Sequence, residues 1–256
     1  MALPLLILIL QFSGLFGFTM LISLVAAAGL HEFYQMTLPG QRCAERGLAI
    51  AFGTFLVPLC VRFGMQVLFP GLTLALLGFG LIFLWRHGDL QRVIVQLALL
   101  FFGFVYIALT LSHLVLLRSL PSGLQWIYLV LLIVMVSDSA AYFTGINLGR
   151  RKLYPAISPN KSVEGAIGGL AGGLLAAFVS RYTFFPALSI LDCLFLGVGL
   201  GVLSQLGDLF ESMLKRACTV KDSGSLLPGH GGILDRLDSL LFAFPLAYYY
   251  GRYFLG

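Results

Sequence analysis

Charged side chains are scarce in this sequence. Only 11% of its 256 residues are Asp, Glu, Lys or Arg, whereas 59% are hydrophobic and the mean hydropathy is +0.96. A soluble domain carries about 25% charged residues. Because the deficit extends along the whole chain, lipid is predicted to be the main solvent of its surface, and the protein is predicted to be integral to a membrane.

Several signatures of other protein classes are also missing. The cysteines Cys43, Cys60, Cys193 and Cys218 form no CxxC pair, which argues against a zinc site or a disulfide framework. The sequence contains no GxxxxGK[ST] phosphate loop, no HExxH motif and no GxSxG motif. It has no basic, aromatic-rich soluble module, so nucleic acid is not an expected partner.

The sequence does contain a series of apolar runs long enough to cross a bilayer, which takes about 20 residues. No Lys or Arg precedes Arg42, so the first run is predicted to be a retained membrane helix rather than a cleaved signal. The pattern predicts an all-α, polytopic integral membrane protein with about eight transmembrane helices, in a range of seven to nine. The predicted spans are roughly 3–30, 47–62, 69–85, 93–117, 124–145, 164–180, 187–207 and 237–255.

The basic residues alternate between connections, as the positive-inside rule requires. Four connections hold 12 of the 16 Lys and Arg residues, and they are 37–47, 86–92, 146–163 and 208–236. We therefore predict that these four connections face the cytoplasm. The stretches 146–163 and 208–236 are the most polar in the chain, and a single cytoplasmic site can be built from both.

The second of these stretches begins with a run of ionisable residues at the end of an apolar helix. Asp208, Glu211, Ser212 and Lys215 are spaced so that they share one helix face. Ionisable groups near membrane depth are costly and usually functional. A solvated helix end with ordinary pairing between neighbouring turns is the alternative reading of the same pattern.

Glycines surround His230 in the segment that follows, which ends in Gly231 and Gly232. Glycines let a backbone approach a ligand closely, and the segment leads into another helix, whose N-terminus favours an anion such as phosphate. That helix opens with Asp235 and Asp238, one turn apart. Together with Asp208 they suit a hard cation such as Mg²⁺, which binds one or two carboxylates plus water and substrate phosphates.

The first polar stretch adds further candidates. Asp138 follows an apolar run and needs a partner or a metal at that depth, and Asn160 and Lys161 precede a helix that opens with Glu164. Compensation of the helix dipole is the alternative reading of Glu164. Five other polar residues are interpreted as interfacial or packing residues, because no constellation converges on them: His31, Glu32, His87, Asp89 and His113.

The run from Ser212 to Asp238 resembles the signature of the phosphatidate cytidylyltransferase (CDP-diacylglycerol synthase) family. The matching elements are Ser212, Lys215-Arg216, Lys221-Asp222, Pro228-Gly-His230-Gly231-Gly232 and Asp235-Arg236-Leu-Asp238. The stretches Ser137–Gly145 and Ser158–Gly165 are similar to the same family, with Ser162 where a threonine is expected. The resemblance covers residues 125–256 well, whereas the first hundred residues match only as generic membrane helices.

This resemblance implies that CTP and phosphatidate, a membrane lipid, react to give CDP-diacylglycerol and pyrophosphate in a bacterial inner membrane, at a site facing the cytoplasm. It implies Mg²⁺, with a second cation allowed, and a possible homodimer. Residues 1–123 would supply N-terminal membrane helices and residues 124–256 the catalytic helices of one structural unit. The implied metal ligands are Asp208, Asp235, Glu211 and Asp238. The implied catalytic residues are Asp208, Lys215, Arg216, Lys221, Asp222, His230, Asp235, Arg236 and Asp238, and the implied substrate-binding residues are Asp138, Asn160, Lys161, Glu164, Ser212, Gly231 and Gly232.

Two other functions compete with this one. A related enzyme of lipid head groups, such as a polyprenol kinase or an ether-lipid synthase, could use the same charges. An ion-coupled transporter would also place Asp138 and Asp208 within the membrane. A transporter, however, is expected to show paired broken helices in two related halves, whereas the polar residues here lie mainly in the C-terminal half.

Overall fold

The computed structural model describes residue 11 and residues 13–86, 88–224 and 231–255. Helices dominate these residues, and a single two-stranded hairpin is the only sheet among them, so the predicted all-α class is confirmed. The α-helices are α1 (Leu15–Thr37), α2 (Cys43–Phe63), α3 (Leu68–Trp85), α4 (Leu90–Gly103), α5 (Thr110–Arg118), α6 (Gly123–Leu148), α7 (Val163–Thr183), α8 (Ile190–Ala217) and α9 (Leu234–Phe254).

Short helical turns join several of these helices into longer stretches. The 3₁₀ turn Gly64–Val67 links α2 to α3, and the π-helical segment Phe104–Leu109 links α4 to α5. Within the described residues, six stretches are long and apolar enough to cross a membrane, so the protein is polytopic. They are Leu15–Thr37, Gly40–Trp85, Leu90–Arg118, Gly123–Leu148, Val163–Thr183 and Ile190–Ala217.

The predicted spans agree with the helices in position and differ at some ends. The first helix begins at Leu15 and runs to Thr37, past the predicted end, while the start of that predicted span lies outside the described residues. Two predicted spans fall within the stretch Gly40–Trp85, and α9 is not among the six apolar stretches. The total of about eight crossings therefore stays a prediction.

A hairpin between α6 and α7 was not predicted from the sequence. Its strands, β1 (Lys152–Tyr154) and β2 (Ser158–Ser162), pair antiparallel, with Lys152 opposite Ser162. Ser162 then caps α7, because its hydroxyl oxygen accepts the backbone N–H of Gly165 at 3.1 Å. The hairpin thus joins two apolar helices and fixes the direction of the side chains just before α7.

The helices pack as two compact units. The first comprises the residues up to Ser119 together with Asp222–Asp235, and the second comprises Leu120–Lys221 together with the residues from Arg236 onward. The sequence predicts a division of the chain after residue 123 into two regions of one structural unit. That division stays a prediction.

Aromatic rings and one buried ion pair hold the first unit together. Phe33 and Phe104 are almost fully buried, and the hydroxyl of Tyr34 donates to the carbonyl of Leu100 at 2.7 Å. A buried carboxylate is stable only when it is paired. Glu45 is 1% exposed and lies 2.8 Å from the guanidinium of Arg42. Nε of Arg42 also donates to the side-chain oxygen of Gln96 on α4 at 2.8 Å, which ties the start of α2 to α4.

Glycines let α7 pack closely against α6 in the second unit. A Cβ atom placed on Gly172 would lie 2.6 Å from the Cβ of Ala140 and 3.1 Å from the carbonyl oxygen of Val136. Small residues at such positions are typical of membrane helix pairs, where close backbone approach supplies the packing energy.

We expect Gly172→Val to destabilise the second unit by about 2 kcal/mol, because overpacked side chains force backbone shifts. The measurement is the thermal unfolding midpoint of the purified protein in detergent. Gly80→Val is the matched control, since a Cβ at Gly80 on α3 meets nothing within 4 Å. An equal fall of the midpoint in both variants would show that helix packing at Gly172 is not the cause.

Candidate functional site

The C-terminal half of α8 carries its polar residues on one face. Ser212 donates its hydroxyl hydrogen to Oδ1 of Asp208 at 3.4 Å. One turn further, Nζ of Lys215 lies 2.5 Å from Oε2 of Glu211, whose side chain is only 2% exposed. The predicted helical spacing of these four residues is therefore confirmed, and the helix extends beyond the predicted span to Ala217.

Lys161 brings the other polar stretch to this face. Its Nζ lies 2.6 Å from Oδ2 of Asp208, and the two side chains are 28% and 31% exposed. Lys161 is the residue before Ser162, so the hairpin and the helix cap together aim its ammonium group at α8. The stretches 146–163 and 208–236 meet at this ion pair, which leaves both charges partly open to solvent and to a ligand.

Two further carboxylates surround Asp208 within the second unit. Asp138 on α6 and Asp238 on α9 are each repelled by the charge of Asp208. Ser239, the residue after Asp238, lies near Asp138. Gly207 allows this approach, since a Cβ there would lie 2.4 Å from the carbonyl oxygen of Asp238. Three carboxylates from three helices thus share one region.

Cations already partly neutralise these carboxylates. Lys161 attracts Asp138 as well as Asp208, and Lys215 attracts Asp238. Among the described residues, no three His, Cys, Asp or Glu side chains are arranged as a ready metal site. The donor set nevertheless fits a hard cation, because Mg²⁺ prefers carboxylate oxygens and leaves positions for substrate phosphates. Asp208, whose carboxylate pairs with the ammonium group of Lys161 and is 31% exposed, is more accessible to such an ion than Glu211, which is 2% exposed.

In the first unit, Asp235 lies at the centre of a tight turn. Its Oδ2 accepts the backbone N–H of Gly232 at 2.7 Å, and both the N–H and the hydroxyl of Ser223 at 3.0 Å. Gly231 has φ 79°, and a Cβ there would lie 2.7 Å from the same oxygen. Only glycine fits this position without strain, which gives the predicted Gly231 and Gly232 a structural reason.

Glu32 is a site residue that the sequence analysis missed. It lies on α1, is 2% exposed, and accepts the backbone N–H groups of Ile233 at 2.9 Å and Leu234 at 3.0 Å. The hydroxyl of Ser223 lies 3.2 Å from its Oε2. The interpretation of Glu32 as a packing residue was therefore incomplete. The position of Glu32 in the sequence could have indicated this role, because a single carboxylate in an apolar helix is costly unless it has hydrogen-bond partners.

The other predicted residues have local roles or lie at the surface. Glu164 accepts the backbone N–H groups of Arg150 and Arg151, at distances of 3.0–3.3 Å, so it holds the turn before the hairpin. Arg216 donates to the carbonyl of Val220 at 3.4 Å. The prediction for His230 lies outside the described residues. The predicted residues that are exposed are Asp138, Asn160, Arg216, Lys221, Asp222 and Arg236.

Comparison with known proteins identifies a family that matches almost the whole chain. Residues 1–254 match the family described as the cytidylyltransferase family. The chain belongs to the cytidylyltransferase family. The match begins at the first residue, so the family resemblance is not confined to residues 125–256 and includes the helix that carries Glu32.

Several curated relatives of this cytidylyltransferase-family chain carry a more specific name. It is 44% identical over 146 residues to a phosphatidate cytidylyltransferase of Bacillus subtilis, covering 57% of this chain and 54% of that protein. It is 47% identical over 132 residues to a phosphatidate cytidylyltransferase of Haemophilus influenzae, covering 50% and 46%. An uncharacterized protein of Escherichia coli, YnbB, is 37% identical over 171 residues, covering 65% and 57%. The chain spans about half the length of the curated relatives it matches.

Proposed function

We propose that this protein transfers a cytidylyl group from CTP to phosphatidate, giving CDP-diacylglycerol and pyrophosphate for phospholipid synthesis. The observation that carries the proposal is the Lys161–Asp208 ion pair, where two polar stretches of a membrane protein meet beside Ser212 and Lys215. Membership of the cytidylyltransferase family and the names of the bacterial relatives support the same reaction.

In this reaction, a phosphate oxygen of phosphatidate forms a bond to the α-phosphorus of CTP. The bond from that phosphorus to the bridging oxygen breaks, and pyrophosphate leaves with the electron pair. Such transfers require mainly positioning and charge stabilisation by the protein, so no protein nucleophile is needed. Lys161 and Lys215 pair with carboxylates, and a phosphate group can compete with these carboxylates for the two ammonium groups. Exposed positive charge is added by Arg216, Lys221 and Arg236.

Mg²⁺ is the proposed cofactor, and a second cation is allowed. Asp208 and Asp235 are the proposed ligands, with Glu211 and Asp238 supporting, as the family resemblance implies. When bound, the ion would neutralise the triphosphate and the departing pyrophosphate. The hydrogen bonds from Ser223 and Gly232 fix the direction of the Asp235 carboxylate. Lys161 and Ser212 do the same for Asp208.

The proposed location is a bacterial inner membrane, with the site facing the cytoplasm. The apolar helices support a multi-pass protein, the named relatives are bacterial, and the basic connections include both polar stretches of the site. Membrane lipid is then both solvent and source of substrate. A homodimer is the assembly that the family resemblance implies.

The test is to incubate the purified protein with CTP, phosphatidate and Mg²⁺. We expect CDP-diacylglycerol and pyrophosphate to appear in equal amounts, and ATP in place of CTP to give no nucleotide–lipid product. A lipid kinase would instead yield a phosphorylated lipid and a nucleoside diphosphate. A transporter would yield no new compound. Either of these two results would refute the proposal.

A further inference from the structure

The start of α9 is held by a residue from a distant helix. Glu32 on α1 accepts the N–H groups of Ile233, which directly precedes α9, and of Leu234, its first residue. N–H groups at the start of a helix have no partner within that helix. A buried carboxylate that accepts such donors acts as a cap, although it lies 202 positions from Leu234. Gly29, one turn earlier on α1, allows the approach, because a Cβ there would lie 3.2 Å from the Leu234 side chain.

The same carboxylate is linked to Asp235. Ser223 lies between the two, with its hydroxyl oxygen 3.2 Å from Oε2 of Glu32 and 3.0 Å from Oδ2 of Asp235. The surrounding backbone leaves no room for a larger residue. A Cβ on Gly232 would lie 2.5 Å from Oε2 of Glu32, and one on Gly224 would lie 2.7 Å from its Oε1. The geometry of Asp235 therefore depends on where Glu32 holds the backbone.

We propose that Glu32 is a positioning residue that anchors the backbone of residues 231–235 and thereby fixes the carboxylate of Asp235. The consequence for catalysis rests on the proposed function, in which Asp235 binds Mg²⁺. The anchoring itself does not depend on the reaction, and each of its contacts lies within the first unit.

A carboxylate suits this position because three groups of the described residues that face it are donors. Oε1 accepts from Ile233, and Oε2 accepts from Leu234 and is within reach of the Ser223 hydroxyl. In Glu32→Gln, one oxygen becomes an NH₂ group that must face an N–H group. At least one buried donor then loses its acceptor, and unsatisfied buried donors are costly. The substitution keeps the side-chain shape, so it tests the acceptors alone.

The direct measurement is hydrogen–deuterium exchange of the peptide that contains residues 231–235, in the full-length protein in detergent. We expect the amides of Ile233 and Leu234 to exchange at least about tenfold faster in Glu32→Gln than in the wild type, because each opening then breaks fewer hydrogen bonds. Ser223→Ala, which keeps both backbone contacts to Glu32, is expected to give a smaller increase. Unchanged exchange in Glu32→Gln would overturn the anchor whether or not the protein makes CDP-diacylglycerol.

The second measurement is the Mg²⁺ concentration that gives half-maximal turnover. We expect Glu32→Gln to raise it at least about fivefold, because a displaced Asp235 binds the ion less well. Glu45→Gln is the matched control, since Glu45 is equally buried in the same unit and pairs with Arg42 instead. It is expected to lower thermal stability and to leave the Mg²⁺ requirement unchanged.

These results separate the two proposals. An equal rise of the Mg²⁺ requirement in Glu45→Gln, or no rise in Glu32→Gln, would reduce Glu32 to a structural residue and overturn the positioning role. If the wild-type protein made no CDP-diacylglycerol at all, the proposed function would fail, and faster exchange in Glu32→Gln would still support the anchor.

Discussion

Asp208→Asn is expected to lower the rate of CDP-diacylglycerol formation by at least about a hundredfold, the scale of losing one group that stabilises charge in a reaction. The amide keeps the size of the side chain and can still accept from Ser212. It removes the negative charge that faces Lys161 at 2.6 Å, and with it the proposed ligand of Mg²⁺. The measurement is the single-turnover rate with saturating CTP and phosphatidate, together with the thermal unfolding midpoint.

The matched control for this prediction is Asp192→Asn on the same helix. Asp192 lies in the first turn of α8, where its carboxylate accepts the backbone N–H of Ser189 and the hydroxyl of Tyr250. The variant has the same change of charge and is expected to cost only about 1 kcal/mol of capping energy, with a normal rate. If Asp208→Asn kept a rate near that of the wild type, Asp208 could not be a metal ligand.

The apolar runs of the sequence predicted most of the helices because lipid imposes one rule on the whole chain. A backbone in hydrocarbon must satisfy its own hydrogen bonds, so each apolar run of sufficient length forms a helix. The ends were less predictable. The helix α8 runs to Ala217, past the polar residues from Asp208 to Lys215, because these groups pair with one another and with Lys161.

The hairpin was missed because its sequence has little strand character. The strand Ser158–Ser162 includes Pro159 and Asn160, residues that are depleted in strands. The hairpin is stabilised by contacts between its two ends. The N–H of Val163 donates to the carbonyl of Arg151, and the Glu164 carboxylate accepts the N–H groups of Arg150 and Arg151. Such contacts join positions that local patterns treat separately.

The sequence predicted which residues make up the candidate site, but it did not predict which of them contact one another. Spacing along one helix placed Asp208, Glu211, Ser212 and Lys215 on one face, since it depends only on helical geometry. No local pattern connects Lys161 to Asp208, or Glu32 to Ser223 across 191 positions. Glu32 in particular lies in a helix whose other residues are mostly apolar, so its partners became visible only in the folded chain.

Asp235→Asn is expected to abolish turnover while the start of α9 remains folded. Ser223, through its N–H and its hydroxyl, and Gly232 donate to the same oxygen of Asp235, Oδ2, so an asparagine whose carbonyl takes that place can keep these contacts. The negative charge of Asp235 is lost. We expect the rate to fall by at least about a hundredfold, as for Asp208→Asn, with a thermal unfolding midpoint close to that of the wild type.

Asp235→Ala separates the charge of this residue from its hydrogen bonds. Without an acceptor, the N–H groups of Ser223 and Gly232 lose their partner, so this variant should lose stability as well as activity, by about 1–3 kcal/mol. The comparison of the two variants is decisive, because only the asparagine keeps the turn. Turnover by Asp235→Asn near the wild-type rate would mean that Asp235 serves only to shape the turn around Gly231, and its assignment as a metal ligand would have to be withdrawn.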